Sequence, residues 1–296
     1  MPLNSVNTNL GAMVALQSLN RANDEMAAVQ KRVSTGLRVS DAKDDGAAFA
    51  IAQSVRTDVA GLTSANQQLG NAKGVVDTTL AGLKGVSDMM GKAKEVLVKL
   101  ADTNVTGDAR KQYEAQYAEV VKSMTNFLQD ATYNGKSLLG TGAVGSATAA
   151  TDVKVVRNEN ANGDITVVAQ QYDDATNPLL LAATAPTGAD DAAKAAAAKA
   201  MLDGTATPAN AKFTAVFNNI NTAMNKFGNS SNLIESQITY NKTKIDSLEG
   251  GLGAMIDADL AKESAKLQAL QIRQQLGTQS LGIANQAPQS LLSLFR

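Results

Sequence analysis

Apolar residues recur along this chain with a seven-residue step, the spacing of a helix buried against other helices. Val55, Leu62, Leu69, Val76, Leu83, Met90 and Leu97 form one row; Asp58, Ala65, Ala72, Thr79, Val86, Ala93 and Leu100 form a second, three residues on. The two rows predict one helix from residue 44 to 100, roughly 85 Å long at about 1.5 Å per residue. Gly70, Gly74, Gly82, Gly85 and Gly91 lie inside it. Each costs about 1 kcal/mol relative to Ala in a helix, so the helix bends or breaks there, or neighbours pack close.

Tyr113, Tyr117, Val120, Met124, Phe127 and Ala131 alternate four and three, a further helix before the turn pair Asn134–Gly135. Phe213, Phe217, Ile220, Met224, Phe227, Ser231, Ile234, Ile238, Asn241, Ile245, Leu248 and Leu252 keep the same rhythm. Ser231 and Asn241 interrupt that seam, either as buried polar groups that set register or as exposed positions. At the N-terminal end Leu19, Ala22, Met26, Val29 and Val33 step by three and four. At the other end Leu260, Leu267, Leu281 and Phe295 share a row with Gln274 and Pro288, while Leu270, Ala284 and Leu291 share one with Ile256, Glu263 and Gly277. These terminal seams are partly small or polar, so their helices are marginal alone and should fold on meeting partners.

Between the helical halves, Val153–Arg157 and Ile165–Gln171 are β-rich runs around Asn162–Gly163, which predicts a β-hairpin. Asp173 to Asn210 is rich in Ala, Thr, Asp, Pro and Gly and reads as loop and surface excursion, with a short helix at Ala192–Leu202. Helices at both ends of a small β centre predict a mainly α fold, a long antiparallel coiled-coil-like bundle of paired N- and C-terminal segments.

Composition narrows the chemistry. The chain has no His, no Cys and no Trp. That removes the side chain that titrates near neutrality, the thiolate nucleophile and the usual zinc ligands, so neither an enzyme nor a metal or cofactor protein is expected. The 27 basic and 28 acidic residues are interspersed, which argues against nucleic acid as a partner. No apolar run reaches the ~18 residues of a spanning helix, and membrane insertion is not expected. The start, MPLNSVNTNLGAM, has neither a charged nor a hydrophobic leader region, which taken alone reads as cytoplasmic.

Paired carboxylates at Asp44–Asp45, Asp173–Asp174, Asp190–Asp191 and Asp257/Asp259 suit general acid–base work only in one pocket with split pKa values. Helix capping by Asp44 or Asp45, Asp191 and Asp257 is the stronger expectation. Asp257, Asp259 and Glu263 could hold a divalent cation, although the spacing fits no known loop. Gly250, Gly251 and Gly253 lack the lysine of a phosphate cradle and predict a break between two helices; Gly36 predicts the end of the first.

Val6 to Asn20 (VNTNLGAMVALQSLN) and Val33 to Ala52 (VSTGLRVSDAKDDGAAFAIA) resemble the N-terminal signature of bacterial flagellins. Ile256 to Arg296 resembles their C-terminal signature, most closely in the ending ANQAPQSLLSLFR. The resemblance implies a structural subunit that self-polymerises into the flagellar filament for motility, with a hook–filament junction protein as the alternative. It implies an inner terminal-helix domain (1–43 and 254–296), a helical bundle plus hairpin (44–172 and 211–253) and a reduced outer excursion (173–210). It also implies export through the flagellar type III apparatus without a cleaved signal, to an extracellular location. The implied partners are other flagellins, filament cap and hook-junction proteins, and an export chaperone at the C-terminus. Many flagellins are sensed by a Toll-like receptor through Gln-Arg-x-Arg-Glu-Leu; here the matching positions are Gly91, Lys92, Ala93, Lys94, Glu95 and Val96. Lysine lacks the planar fork of arginine, so weak or no recognition is expected.

Overall fold

The glycine-studded heptad stretch folds as one unbroken helix in a computed structural model that describes residues 9–140, 150–173 and 178–294. The helices are α1 (Leu10–Thr35), α2 (Gly46–Leu100), α3 (Gly107–Asp130), α4 (Asp191–Asp203), α5 (Phe213–Ile256) and α6 (Leu260–Leu294). Four short strands lie between α3 and α4: β1 (Leu139–Gly140), β2 (Val153–Val156), β3 (Asp164–Val167) and β4 (Gln170–Gln171). The fold is mainly α with a small β centre. Contacts divide it into one unit of Met1–Val59 with Asp246–Arg296 and another of Ala60–Ile245.

Helix ends follow backbone needs. Asn9 accepts a hydrogen bond from the Ala12 amide (3.0 Å) at the start of α1, and Gly36, at φ 72°, closes it with a left-handed cap. Asp45 receives the Ala47 and Ala48 amides at the start of α2. Two caps differ from the sequence expectation. Asp190, not Asp191, receives the Ala193 amide of α4 (2.7 Å), and Asp259, not Asp257, receives Ala261 and Lys262 of α6. The cap is the carboxylate that reaches the second or third helical amide, and in each pair a single residue satisfies that geometry. The glycine cluster likewise does not break the chain. Helix α5 runs through Gly250, Gly251 and Gly253 and ends at Ile256, because Leu252 and Met255 pack on Val39, Ala52 and Ile256 and hold the turn helical.

In the Ala60–Ile245 unit, Leu62, Leu69, Val76, Leu83, Met90 and Leu97 are fully buried. From Leu69 onward they share a core with Tyr117, Met124 and Leu128 of α3 and Val216, Ile220, Phe227 and Ile234 of α5. The hairpin joins it through one face: β2 and β3 pair antiparallel with Val153 opposite Val167 and Val155 opposite Ile165, all four buried. The pairing stops at Val167. Asp152 receives the Ala169 amide (2.9 Å), and Gln170–Gln171 pair in parallel with β1 instead of extending the hairpin.

Several of the α2 glycines, Gly74, Gly82 and Gly85 among them, exist because neighbours sit on them. A Cβ on Gly82 would lie 2.7 Å from Ala131 Cβ and 2.9 Å from the Phe127 carbonyl oxygen, and Gly85 and Gly74 lie under the rings of Phe127 and Tyr133. Gly70 and Gly91 have open space. Gly82→Ala must therefore move backbone and should cost about 1–3 kcal/mol. Gly70→Ala should instead stabilise by up to about 1 kcal/mol. Urea unfolding of the two variants checks this; equal shifts would refute the close-packing account.

The stretch from residue 178 to 211 is packed more deeply than its composition suggests. Leu179, Leu181, Ala195, Ala198 and Met201 are buried. Tyr117 donates to the Ala182 carbonyl (3.1 Å), and burial pushes its phenol pKa well up. Lys194 of α4 pairs with Glu114 of α3 at 3.2 Å. Small residues such as Ala195 and Ala198 let α4 lie close, and their burial carries no alternation or heptad that a sequence would display.

Candidate assembly interface

Helices α1 and α6 pair with each other. Asn9 Nδ2 donates to the Ala284 carbonyl (2.7 Å), Gln274 Nε2 to Asn23 Oδ1 (2.9 Å), and Arg32 lies 3.5 Å from Glu263. Partner numbers rise on one helix as they fall on the other, so the pair is antiparallel. Its seam is thin. Ala22, Val29 and Leu270 are buried, while Leu19, Met26, Val33, Leu267 and Leu281 are half-buried. Gly277 lets Leu19 approach, since a Cβ there would meet Leu19 Cδ1 at 3.2 Å. Leu260, at the first turn of α6, is 50% exposed. The side chains of Leu291 and Phe295 lie outside the described residues.

A second apolar face runs along the same pair, and the sequence rows do not include it. Leu10, Met13 and Val14 of α1 and Ile272, Leu276 and Ile283 of α6 are exposed. At about 100° per residue, Ile272 points about 200° away from Leu270, so each helix carries one apolar stripe toward its partner and one away. The signal is present as apolar residues off the seam rows, but nothing in the sequence separates such residues from ordinary surface ones.

The connections between helices are tied together in this unit. Arg38 and Val39 amides donate to the Ile256 carbonyl (2.7 and 3.3 Å), and the Ala258 amide to Gly36 (2.9 Å). Val39, Ala52 and Ile256 form a small core beneath, and Val55 is half-buried. Asp44 accepts from the Ser40 amide and hydroxyl, both 3.0 Å, and Lys31 pairs with Asp41 at 2.5 Å. The Ser40 bonds hold the Asp44 pKa down to about 2. A depressed carboxylate contributes stability above its unfolded value of about 3.9, which is lost as pH falls toward the folded value. Amide exchange at Ser40 and Asp41, whose amides Asp44 accepts, corrected for intrinsic rate, should therefore rise between pH 4 and 2, and Asp44→Asn should remove that rise. A pH-independent protection in the parent would contradict the assignment.

The cation arrangement does not assemble. Asp259 caps α6, Glu263 faces Arg32, and no group of three acidic side chains able to hold a metal occurs among the described residues. No described helix is long and apolar enough to cross a membrane. In the other unit, Ile220 and Ile234 are fully buried and Ile245 is half-buried. Both polar interruptions of that seam are inside it: Ser231 donates to Asp77 (3.1 Å), and Asn241 is fully buried.

Residues 6–143 match the family model of the bacterial flagellin N-terminal helical region, and residues 211–295 that of the C-terminal helical region. Flagellin FljK of Caulobacter vibrioides is 37% identical, with 100% of both chains covered. A flagellin of Brucella melitensis is 33% identical over 99% of each chain, and flagellin C of Rhizobium meliloti 30% identical over 99% of this chain and 100% of its own. Both helical ends and the whole length agree: the chain belongs to the bacterial flagellins, the structural subunits of the flagellar filament.

Proposed function

We propose that the outward apolar stripes of the α1–α6 pair are the surfaces by which neighbouring copies are held in the filament. The observation that carries this is the exposure of Ile272, Leu276 and Ile283 on the face of α6 away from its partner. Two helices joined by a thin seam bury too little to be rigid alone, so their order should rise when neighbours cover the outer faces. The coupling of folding to association places the gain in burial at the growing end. A head-to-tail contact that does not close generates an open helical polymer.

In this reading residues 1–43 and 254–296 form the filament core, 44–172 and 211–253 the surrounding bundle, and 173–210 a small outer part. The chain acts without catalysis. Family resemblance supports export by the flagellar type III apparatus to the cell exterior, an export chaperone on the C-terminal segment, and cap and hook-junction proteins as neighbours. A hook–filament junction role is not favoured, given full-length flagellin relatives. Recognition by a Toll-like receptor should be weak: Lys92 and Lys94 are exposed on α2 but present point charges, not arginine forks. Strong activation of receptor-bearing cells by purified protein would contradict this.

Seeded polymerisation tests the central reading. Short filament fragments are added to purified monomer, sedimentation and electron microscopy follow growth, and circular dichroism follows helix content. Long filaments with a gain of helix are expected. Seeds that bind subunits without elongating would overturn the self-polymerising subunit in favour of a junction protein.

A further inference from the structure

Asn241 is one of the two polar residues in the seam of α5, and it is fully buried. Its Nδ2 donates to Asn66 Oδ1 (3.0 Å) on α2 and to the Arg157 carbonyl (3.1 Å) at the end of β2, while its Oδ1 accepts from Gln237 Nε2 (2.9 Å). The Arg157 carbonyl can only accept, which fixes the orientation of the Asn241 amide. Two residues on, the Glu159 backbone rests on Gly61: a Cβ there would lie 3.0 Å from Glu159 Cβ and 3.3 Å from its Cα. Lys244 Nζ reaches Glu159 Oε1 at 2.5 Å.

We propose that Asn66, Gln237 and Asn241, with Lys244 and the notch at Gly61, form a latch that fixes the β2–β3 turn onto α2 and α5. The hairpin needs one. Its strands are four residues each, too short to be stable alone, and their buried side chains stop at the Val155–Ile165 pair, short of the turn. The turn, Asn158 to Gly163, carries no large apolar side chain to bury. Polar groups on the helices are what remain to hold it, and a buried amide donor is specific about what it accepts as a partner. Asn241 is thus a positioning residue, kept in the seam for where it places the turn, at some expense in core packing. The latch is independent of how copies of the chain associate.

Asparagine-to-aspartate swaps at the two ends of one hydrogen bond separate this from a general packing role. Asn66 accepts, so Asn66→Asp retains the bond; Asn241 donates, so Asn241→Asp and Asn241→Leu lose it. Hydrogen exchange of the full-length monomer is read at residues 157–163 and, as a reference, at 83–97. Loss of the donor should accelerate the turn about tenfold with the reference unchanged, whereas Asn66→Asp should stay near the parent. Unchanged turn protection in Asn241→Leu, or equal acceleration in Asn66→Asp, overturns the latch. Should the Asn241 variants loosen the reference as well, Gln237→Leu combined with Lys244→Met decides. Acceleration confined to the turn then supports the latch, and unchanged protection overturns it.

Discussion

One alanine inserted between Gln271 and Ile272 should abolish filament growth from seeds while leaving urea unfolding of the Ala60–Ile245 unit unchanged. The insertion rotates every later residue of α6 by about 100° relative to α1. Gln274 then leaves Asn23, Gly277 no longer lies under Leu19, and Leu281 and Ala284 turn out of the seam. The outer stripe turns by the same angle, so Ile272, Leu276 and Ile283 no longer stand opposite the seam residue Leu270, which precedes the insertion and stays in place. Both surfaces fail together, which is why a single residue should have a loss-of-assembly effect. The bundle unit has none of these contacts and retains its own core. Normal filaments from the insertion variant, imaged after seeding, would show that the terminal helices are not read in register and would sink the assembly mechanism.

How far the sequence discloses this follows from which forces are periodic. Helix α2 is legible through its glycines because two heptad rows outweigh local propensity, and the buried Leu62–Leu97 row has that period. The reason for the glycines is not legible, since Phe127 and Ala131 reach Gly82 from outside α2. The caps are displaced by one or two residues because spacing cannot choose between nearby carboxylates with competing partners; Asp191 is drawn to the α3 start while Asp190 takes the cap. Among the described residues of the α6 rows, Leu267, Leu270 and Leu281 are buried or half-buried, whereas Leu260 is exposed at the first turn. The outer stripe is invisible, because a face left unburied within one chain leaves no mark that distinguishes it from solvent-facing surface. Burial from 178 to 211 is hidden for the opposite reason, since alanines pack closely without any hydrophobic rhythm.

Arg110→Met should lower the thermal midpoint of the bundle unit by about 6–12 °C, from a loss of about 3 kcal/mol. Arg110 is 1% exposed, and its guanidinium donates to the carbonyls of Leu100 (3.0 Å), Val105 (2.8 Å) and Asp102 (2.9 Å). Those oxygens lie where α2 ends and the turn to α3 begins, so they have no next helical turn to satisfy them. Methionine fills the space of the aliphatic stem and offers no donor, which leaves the Leu100 oxygen buried and unpaired. Asp191 lies 3.7 Å from the guanidinium and receives the Gly107 amide at 2.9 Å. Being more than a third exposed, it can rehydrate, and its share is small after screening. Asp191→Asn should therefore cost less than about 1 kcal/mol, since an amide oxygen still accepts from Gly107. Circular dichroism melts of the parent and both variants decide the matter. If the two variants melt together, the ion pair and not the carbonyl clamp holds this end; if Arg110→Met melts far below Asp191→Asn, the arginine serves as a substitute for the missing turn of α2.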